Sequence, residues 1–395
     1  MKRIAILGST GSIGRSTLNV IENHPERFQL ATLAAGANTE AALEQARRWK
    51  PKVLSLASEK DASQAAQQLK AEGLKGIEVV YGQAGTVRVA THKEVDFVVS
   101  AIVGVAGLKA TYEAVRAGKE VGLANKECLV TAGELITAEA RKQGKPLLPI
   151  DSEHNAVHQC LRAGTYPEVR RIVLTASGGP FRKTPLKALE TVTPAQALAH
   201  PNWRMGNRIT IDSATMMNKG FEIIEARWLF GVRPDQIDVV IHPQSTVHSM
   251  VEYVDGSVLA QLGPTDMRMP IQYALTYPQR VASNHVALDW AKLRRLDFER
   301  ASTRRFPCLR LAREAMNKGG AWPCALNAAD EIAVAAFLEQ RLPFLGISEV
   351  IERVLSRTPG VHFENVDDVL AADAEARCQA SEEVGRLSNH PAGVL

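Results

Sequence analysis

Short apolar runs alternate with longer mixed segments through the first 150 residues. Residues 4–7 are four apolar positions in a row, closed by Gly8. A run this short, with no polar face, predicts a strand covered on both sides. Residues 13–23 take up helical spacing and stop before Pro25. Residues 29–35 predict a second strand, and 39–49 a helix ended by Pro51. Residues 53–56, 78–81, 97–101, 121–124 and 147–150 continue as strands with helical segments between them. This alternation predicts an α/β fold that begins with a Rossmann-like parallel sheet.

The pattern changes after residue 150. Residues 172–176 and 239–242 read as strands. Residues 246–254 and 257–262 flank Asp255-Gly256, a strong hairpin signal. These features predict an α+β domain over 151–285 with a mixed sheet. Residues 286–312 are rich in Arg and carry no clear period, so they read as a linker. Helical patterning dominates 313–395, at 325–338, 347–355 and 366–385, and predicts a C-terminal helical bundle. The last ten residues read as loosely held.

Composition narrows the function classes. The chain has 395 residues, 45% hydrophobic and 23% charged, as expected of a globular protein of more than one domain. A net charge of +4 is too mild for a nucleic-acid binder and suits a small anionic substrate. No run of about twenty apolar residues predicts a membrane span. The N-terminus reads as a first strand and not as a signal peptide. Five scattered cysteines, with no CxxC spacing, predict reduced thiols in the cytoplasm and no zinc site.

The chemistry-bearing residues sit where strands end. Gly8, Gly11 and Gly14 punctuate a strand-to-helix turn, where glycine lets the backbone approach a pyrophosphate. The spacing is GxxGxxG, so the turn also reads as tight packing without a ligand. After the second strand, Ala34-Ala35-Gly36-Ala37-Asn38 carries no acid to grip the ribose hydroxyls of NAD. That leans toward NADPH, although no cation is there either. Asp151 and Glu153 are two apart, so in an extended segment they share one face. With Glu222 they make an oxygen-only set for Mg2+ or Mn2+, the alternative being a solvated acidic loop.

Ser177-Gly178-Gly179 after a strand reads as a phosphate nest or a plain turn. Ser213 opens a helical stretch, which it could cap. Asn218-Lys219-Gly220 breaks that stretch, with Lys219 as a point charge for phosphate and Gly220 allowing close approach. His200-Pro201-Asn202-Trp203-Arg204-Met205-Gly206 reads as a lid or as a loop pinned by Trp203. Lys126, at another strand end, can reach an anionic oxygen or stand solvated. His242 and His248 read as satisfying local hydrogen bonds. Together these residues suggest an enzyme that holds a cation and a phosphorylated substrate near a nicotinamide. A dehydrogenase using Cys128 as nucleophile and an NADPH-binding redox sensor are the rivals.

Several segments together resemble the deoxyxylulose-phosphate reductoisomerases of the non-mevalonate isoprenoid pathway. They are the turn from Gly8 to Gly14, Leu123-Ala124-Asn125-Lys126-Glu127, Asp151-Ser152-Glu153-His154-Asn155, Ser177-Gly178-Gly179-Pro180-Phe181 and His200-Pro201-Asn202-Trp203. Asp212-Ser213-Ala214-Thr215-Met216-Met217-Asn218-Lys219-Gly220, His242-Pro243-Gln244-Ser245 and Leu326-Asn327-Ala328-Ala329-Asp330-Glu331 complete the match.

The resemblance covers nearly the whole chain. It implies that 1-deoxy-D-xylulose 5-phosphate is isomerised and reduced to 2-C-methyl-D-erythritol 4-phosphate. It assigns NADPH contacts to Thr10, Gly11, Ser12, Ile13, Gly36, Ala37, Asn38, Asn125, Glu127 and Gly206. Asp151, Glu153 and Glu222 become the metal ligands. Lys126, Ser152, Glu153, Ser177, His200, Ser213, Asn218, Lys219 and Glu222 hold the substrate. Lys126, Glu153, His200 and Trp203 carry catalysis. A homodimer is implied as well. Ala37 departs from the basic residue that some members carry, which weakens the expected grip on the 2′-phosphate.

Overall fold

A computed structural model describes residues 1–203, 205–284 and 287–389. The chain forms two compact units. The first holds Met1–Cys128, Glu134–Asn155 and the described part of Asp266–Val286. The second holds Leu129–Gly133, Ala156–Thr265 and the described part of Ala287–Leu395.

The first half of the chain runs β1 (Lys2–Leu7), α1 (Ser12–Asn23), β2 (Phe28–Ala34), α2 (Thr39–Trp49), β3 (Val53–Leu56), α3 (Glu59–Ala71) and β4 (Glu78–Tyr81). It continues with α4 (Gly82–Ala90), β5 (Phe97–Ser100), α5 (Leu108–Arg116), β6 (Glu120–Leu123), α6 (Glu127–Gln143), β7 (Leu147–Pro149) and α7 (Ser152–Leu161). Seven parallel strands form one sheet in the order β4-β3-β2-β1-β5-β6-β7. The order reverses at β1, beside which β2 and β5 lie. In such sheets ligands bind at the carboxyl ends of the strands flanking the reversal. Ile4, Ala5, Ile6 and Leu7 are wholly buried, which explains the unbroken apolar run.

The second half opens with β8 (Val169–Ala176), α8 (Pro194–Ala197), α9 (Asn207–Thr215) and α10 (Met217–Phe230). Strands β9 (Ile237–Ile241), β10 (Val247–Tyr253) and β11 (Val258–Leu262) follow. Then come α11 (Arg268–Thr276), β12 (Glu299–Arg300), α12 (Pro307–Lys318), α13 (Ala321–Leu338), α14 (Gly346–Leu355) and α15 (Val366–Asn389). The second sheet is mixed, in the order β11-β10-β8-β9-β12. Strands β8 and β9 pair parallel, and the Asp255-Gly256 turn joins the antiparallel hairpin β10–β11. Helix α13 packs among α12, α14 and α15.

Two segments behave differently from their reading in the sequence. Residues 266–284, read with the second domain, contain α11, whose Ile271, Ala274 and Leu275 join the core of the first unit. Lys2 Nζ donates to Leu275 O at 3.1 Å, and His24 Nε2 lies 3.2 Å from Gln272 Oε1. The span read as a linker contains β12, which pairs with β9, and the first turns of α12. Arg204 of the expected lid, His285, Val286 and residues 390–395 lie outside the described residues.

Candidate active site

The glycine turn is built for close approach. Gly8 has φ +87°, and a Cβ there would meet Ala101 O at 2.6 Å. A Cβ on Gly14 would lie 2.4 Å from Gly8 O and 2.5 Å from Ser9 Cα. The turn is thus folded onto its own backbone, with α1 starting directly behind it. Gly11 is the N-cap of α1 and offers no side-chain cap. The first-turn amides of α1 therefore face the turn's opening, an arrangement suited to a pyrophosphate. Thr10 and Ile13 are half-buried, and Gly11 and Ser12 are exposed.

At the end of β2, Gly36, Ala37 and Asn38 are exposed. Asn38 caps α2, its side chain accepting from Ala41 N at 3.2 Å. Asn125 is buried and organises the loop after β5. Its Nδ2 donates to Gly104 O at 2.9 Å and to Ile102 O. Glu127 is buried in the first turn of α6.

The carboxylates of the first unit surround the start of α7. Asp151 does not lie in the extended segment that its spacing from Glu153 predicts. It precedes the helix, and its carbonyl accepts from Asn155 N at 2.8 Å. Glu153 lies in the first turn of that helix. An acid before a helix and another within its first turn suit the helix dipole, so this arrangement was open to reading as a helix start. Lys126 is buried, and its ammonium pairs with the Asp151 carboxylate. Ser152 Oγ donates to Glu153 Oε2 at 2.5 Å. Lys126, Asp151, Ser152 and Glu153 are thereby grouped at the ends of β6 and β7.

A second group forms within the second unit, after β8. Gly178 and Gly179 have φ of +82° and +64°. Ser177 Oγ lies 2.9 Å from His200 Nε2 and accepts from Gly179 N at 3.2 Å. The other ring nitrogen, His200 Nδ1, accepts from Trp203 N at 2.9 Å and Asn202 N at 3.2 Å. A neutral imidazole with Nδ1 as acceptor carries its proton on Nε2, so His200 donates to Ser177. Burial lowers the His200 pKa and favours that neutral form. Ser177 Oγ already accepts twice, so its own proton remains to be donated outward. An open pocket of about 720 Å³ lies here, lined by Ser177, Gly179, Arg182, Lys183 and Pro201 among others.

Ser213 reaches the same place by backbone packing. A Cβ on Gly179 would sit 2.6 Å from Ser213 O. Ser213 does not open its helix, because α9 starts at Asn207 with Gly206 as N-cap. It lies in the last turn, and the break follows at Met216, with φ +65°. A buried non-glycine residue in that conformation is strained and marks a fixed elbow. Asn202 secures the lid's start, its Nδ2 donating to Pro243 O at 2.5 Å and Ser245 Oγ at 3.0 Å. Nothing in the local pattern around Asn202 predicts this separate role.

Beyond the elbow, Asn218, Lys219 and Glu222 lie within α10, at the (i, i+4) and (i, i+3) spacings that bring side chains together. Asn218 Nδ2 donates to Glu222 Oε1 at 2.6 Å, and the Lys219 ammonium pairs with Glu222 Oε2. Both charged side chains are almost fully buried. Gly220 does not break this helix. A Cβ there would meet the Ala312 Cβ of α12 at 2.6 Å, so Gly220 admits a neighbouring helix.

The remaining candidates have structural partners. Cys128 is fully buried, with Sγ 3.7 Å from Thr111 Oγ1, which removes the exposed thiol that a dehydrogenase nucleophile needs. His242 Nδ1 donates to Asp297 O at 2.8 Å, Nε2 accepts from Thr246 N at 3.2 Å, and the ring stacks on Phe298.

Comparison with known proteins matches this chain to three family models. Residues 4–133 match the model for 1-deoxy-D-xylulose 5-phosphate reductoisomerase. Residues 147–230 match the 1-deoxy-D-xylulose 5-phosphate reductoisomerase C-terminal domain, and 262–379 the DXP reductoisomerase C-terminal domain. A 1-deoxy-D-xylulose 5-phosphate reductoisomerase of Anaeromyxobacter sp. (strain K) is 53% identical over 393 residues, covering 100% of both chains. One of Solibacter usitatus (strain Ellin6076) is 54% identical over 97% of each. The solved structure from Zymomonas mobilis, in complex with NADPH, superposes with a TM-score of 0.90 at 44% identity, covering 97% of this chain and 98% of that one. A reductoisomerase in complex with NADPH, fosmidomycin and magnesium gives a TM-score of 0.92 at 40% identity, covering 99% and 100%.

Proposed function

The chain belongs to the 1-deoxy-D-xylulose 5-phosphate reductoisomerase family, and from that premise we propose that it converts 1-deoxy-D-xylulose 5-phosphate to 2-C-methyl-D-erythritol 4-phosphate, using NADPH and a divalent metal ion. The observation that carries this reading is the burial of Lys219 beside Glu222 on α10, at 2% and 0% exposure. Desolvating two charges offsets most of what their pairing gains, so a buried ion pair adds little stability and fits a ligand site better than a structural one.

Asp151, Glu153 and Glu222 would hold Mg2+ or Mn2+ through oxygen alone, which suits a hard cation. When bound, that ion supplies Lewis acidity to the substrate's oxygens. Lys126 and Ser152 orient the reacting end of the substrate from the ends of β6 and β7. Ser177 donates its hydroxyl proton to the phosphate, with His200 holding the hydroxyl in place. Ser213, Asn218 and Lys219 complete the phosphate contacts. Trp203 and the rest of its loop cover the substrate and exclude water. The turn from Thr10 to Ile13 takes the pyrophosphate of NADPH, which supplies the hydride. Gly36, Ala37 and Asn38 face its ribose end, while Asn125, Glu127 and Gly206 complete its contacts. In this reading residues 1–150, joined by α11 and the rest of 266–284, are the NADPH domain, 151–265 the catalytic domain and 313–395 the C-terminal helical domain.

The protein acts as a cytoplasmic homodimer. In support, β11 lies at a sheet edge with Val258 and Leu259 51% and 38% exposed, and such edges pair with another chain. All five cysteines are free thiols, as a reducing compartment keeps them. Among the described residues no helix is long and apolar enough to cross a membrane.

Two predictions belong to the phosphate pocket. Gly179→Ala places a side chain at φ +64°, against Ser213 O, a strain of about 1–3 kcal/mol. The KM for the phosphorylated substrate should rise roughly tenfold, the equivalent of about 1.4 kcal/mol, with NADPH affinity unchanged. An unchanged KM would separate Gly179 from the phosphate site. His200 gives a pH dependence. Its pKa is lowered from 6.5, so the neutral bond set is intact above pH 6.5 and is lost as pH falls through the lowered value. Acid should therefore weaken kcat/KM in the parent more steeply than in His200→Gln. Superimposable profiles would contradict this.

The reaction itself is tested by absorbance at the NADPH band with 1-deoxy-D-xylulose 5-phosphate, with and without a chelator. Steady oxidation that the chelator stops is expected. NADPH bound but never oxidised would defeat the assignment.

A further inference from the structure

The sequence match at Asn327, Asp330 and Glu331 gave these residues no role, yet they face the helix that carries Ser213. Arg208 lies in the first turn of α9, two residues after the lid ends at Gly206. Its side chain is 18% exposed. Nη1 donates to Glu331 Oε1 at 2.8 Å, and Nη2 donates to Asn327 Oδ1 at 2.9 Å. Asp330, with 0% exposure, lies 3.5 Å from Nη2. Asp212, one turn along α9, lies 3.7 Å from Nε. The guanidinium also stands over the ring of Phe221, 5.8 Å from its centroid. Phe221 adjoins Glu222 in α10, so one side chain touches α10 and α13 while belonging to α9.

The site around Arg208 is rich in acid. Four carboxylates, Asp212, Asp330, Glu331 and Asp373, surround two guanidiniums, Arg208 and Arg377, the latter bonded to Glu331 and Asp373. Burial pushes the Asp330 carboxyl up to about 6, against the pull of Arg208. A guanidinium that bonds two groups on one facing helix fixes orientation as well as distance. The segment it fixes includes the strained Met216 elbow, with Ser213 before it and Lys219 after it.

We propose that Arg208 is a positioning residue for the reaction: through Asn327, Asp330 and Glu331 of α13, and through Phe221 of α10, it fixes the α9–α10 elbow so that Ser213 and Lys219 meet the substrate's phosphate together. This role rests on the function proposed above. Arg208 touches no substrate in this account. Its removal therefore loosens phosphate binding and leaves the NADPH turn, in the other unit, as it was.

The test is steady-state kinetics with 1-deoxy-D-xylulose 5-phosphate on Arg208→Met, Arg208→Lys, Glu331→Gln and the double variant Arg208→Met/Glu331→Gln. Arg208→Met should raise the KM roughly 10–50-fold, as expected for loss of a coupled network, with NADPH affinity within about twofold of the parent. Arg208→Lys should lie between parent and Met variant. The double variant should be no worse in KM than Arg208→Met, because Glu331 reaches α9 through Arg208, and its bond to Arg377 joins α13 to α15 instead. Arg353→Met, in the separate Arg353–Glu383 pair of α14 and α15, is the stability control. It should lower Tm and leave KM unchanged. Unchanged KM in Arg208→Met and Glu331→Gln, or losses that add in the double variant, would overturn the proposal. If Arg208→Met does not fold, Arg208→Lys and Glu331→Gln decide it by the same KM criterion. A parent that never oxidises NADPH would instead sink the assigned reaction, and this role with it.

Discussion

Glu222→Gln is expected to lose at least about a hundredfold in kcat/KM at limiting Mg2+, about 3 kcal/mol of transition-state stabilisation. The substitution keeps the shape of the side chain and removes its charge. The native carboxylate is fully buried, accepts from Asn218 Nδ2 at 2.6 Å and pairs with Lys219. Glutamine can retain the bond from Asn218. It cannot balance the buried Lys219 ammonium, and breaking such a pair costs about 3–5 kcal/mol. A hard cation also loses one of its three charged oxygens. Two consequences separate these effects. Raising Mg2+ should recover part of the activity, because mass action offsets weaker metal binding. Melting without metal should also occur at lower temperature, because Lys219 is left uncompensated. NADPH affinity, followed by its fluorescence, should stay within about twofold, since the glycine turn lies in the other unit. Equal activity of variant and parent at limiting Mg2+ would remove Glu222 from the metal.

Gly14→Ala should abolish useful NADPH binding, with the dissociation constant rising at least about a hundredfold, near 3 kcal/mol. The cause is contact and not backbone angle. A Cβ at Gly14 would sit 2.4 Å from Gly8 O and 2.5 Å from Ser9 Cα and O, and every one of these is backbone. No side chain can turn aside, so α1 must shift away from the end of β1. The first-turn amides of α1 then lose their aim at the pyrophosphate. Gly11→Ala is the internal comparison. Its Cβ would lie 3.3 Å from Gly8 O, a distance that a small adjustment relieves. Its effect on NADPH should be several times smaller. Both are read by titrating NADPH fluorescence beside a melting curve. Equal affinities for Gly14→Ala and the parent would mean that the turn does not hold the cofactor.

Much of the first unit was legible because its strands are buried on both faces. Residues 4–7 are an uninterrupted apolar run, residues 53–56 are apolar but for the buried Ser55, and both became strands where expected. The glycine turn was legible for a related reason, since only glycine tolerates the contacts at Gly8 and Gly14. The elbow between α9 and α10 was not legible. It turns on a left-handed Met216, and nothing in a methionine announces that conformation. Ser213 was consequently read as a helix start, and Gly220 as a break. Gly220 shows a general difficulty, because a glycine that makes room for a ligand and one that makes room for Ala312 look alike in sequence. The Asp151 segment was misread as extended although its acids carried a helix-start signal. The bonds from Arg208 to Asn327 and Glu331 span more than a hundred residues, so no local pattern could reveal them.

Everything proposed for catalysis depends on carboxylates from separate parts of the chain sharing one ion. Titration of Mn2+ into the NADPH-loaded protein, followed by its paramagnetic signal, tests that most directly. The expected result is one tight ion per chain in the parent, with binding weakened by at least about tenfold, or 1.4 kcal/mol, in each of Asp151→Asn, Glu153→Gln and Glu222→Gln. A Glu222→Gln protein that binds Mn2+ as tightly as the parent would contradict it.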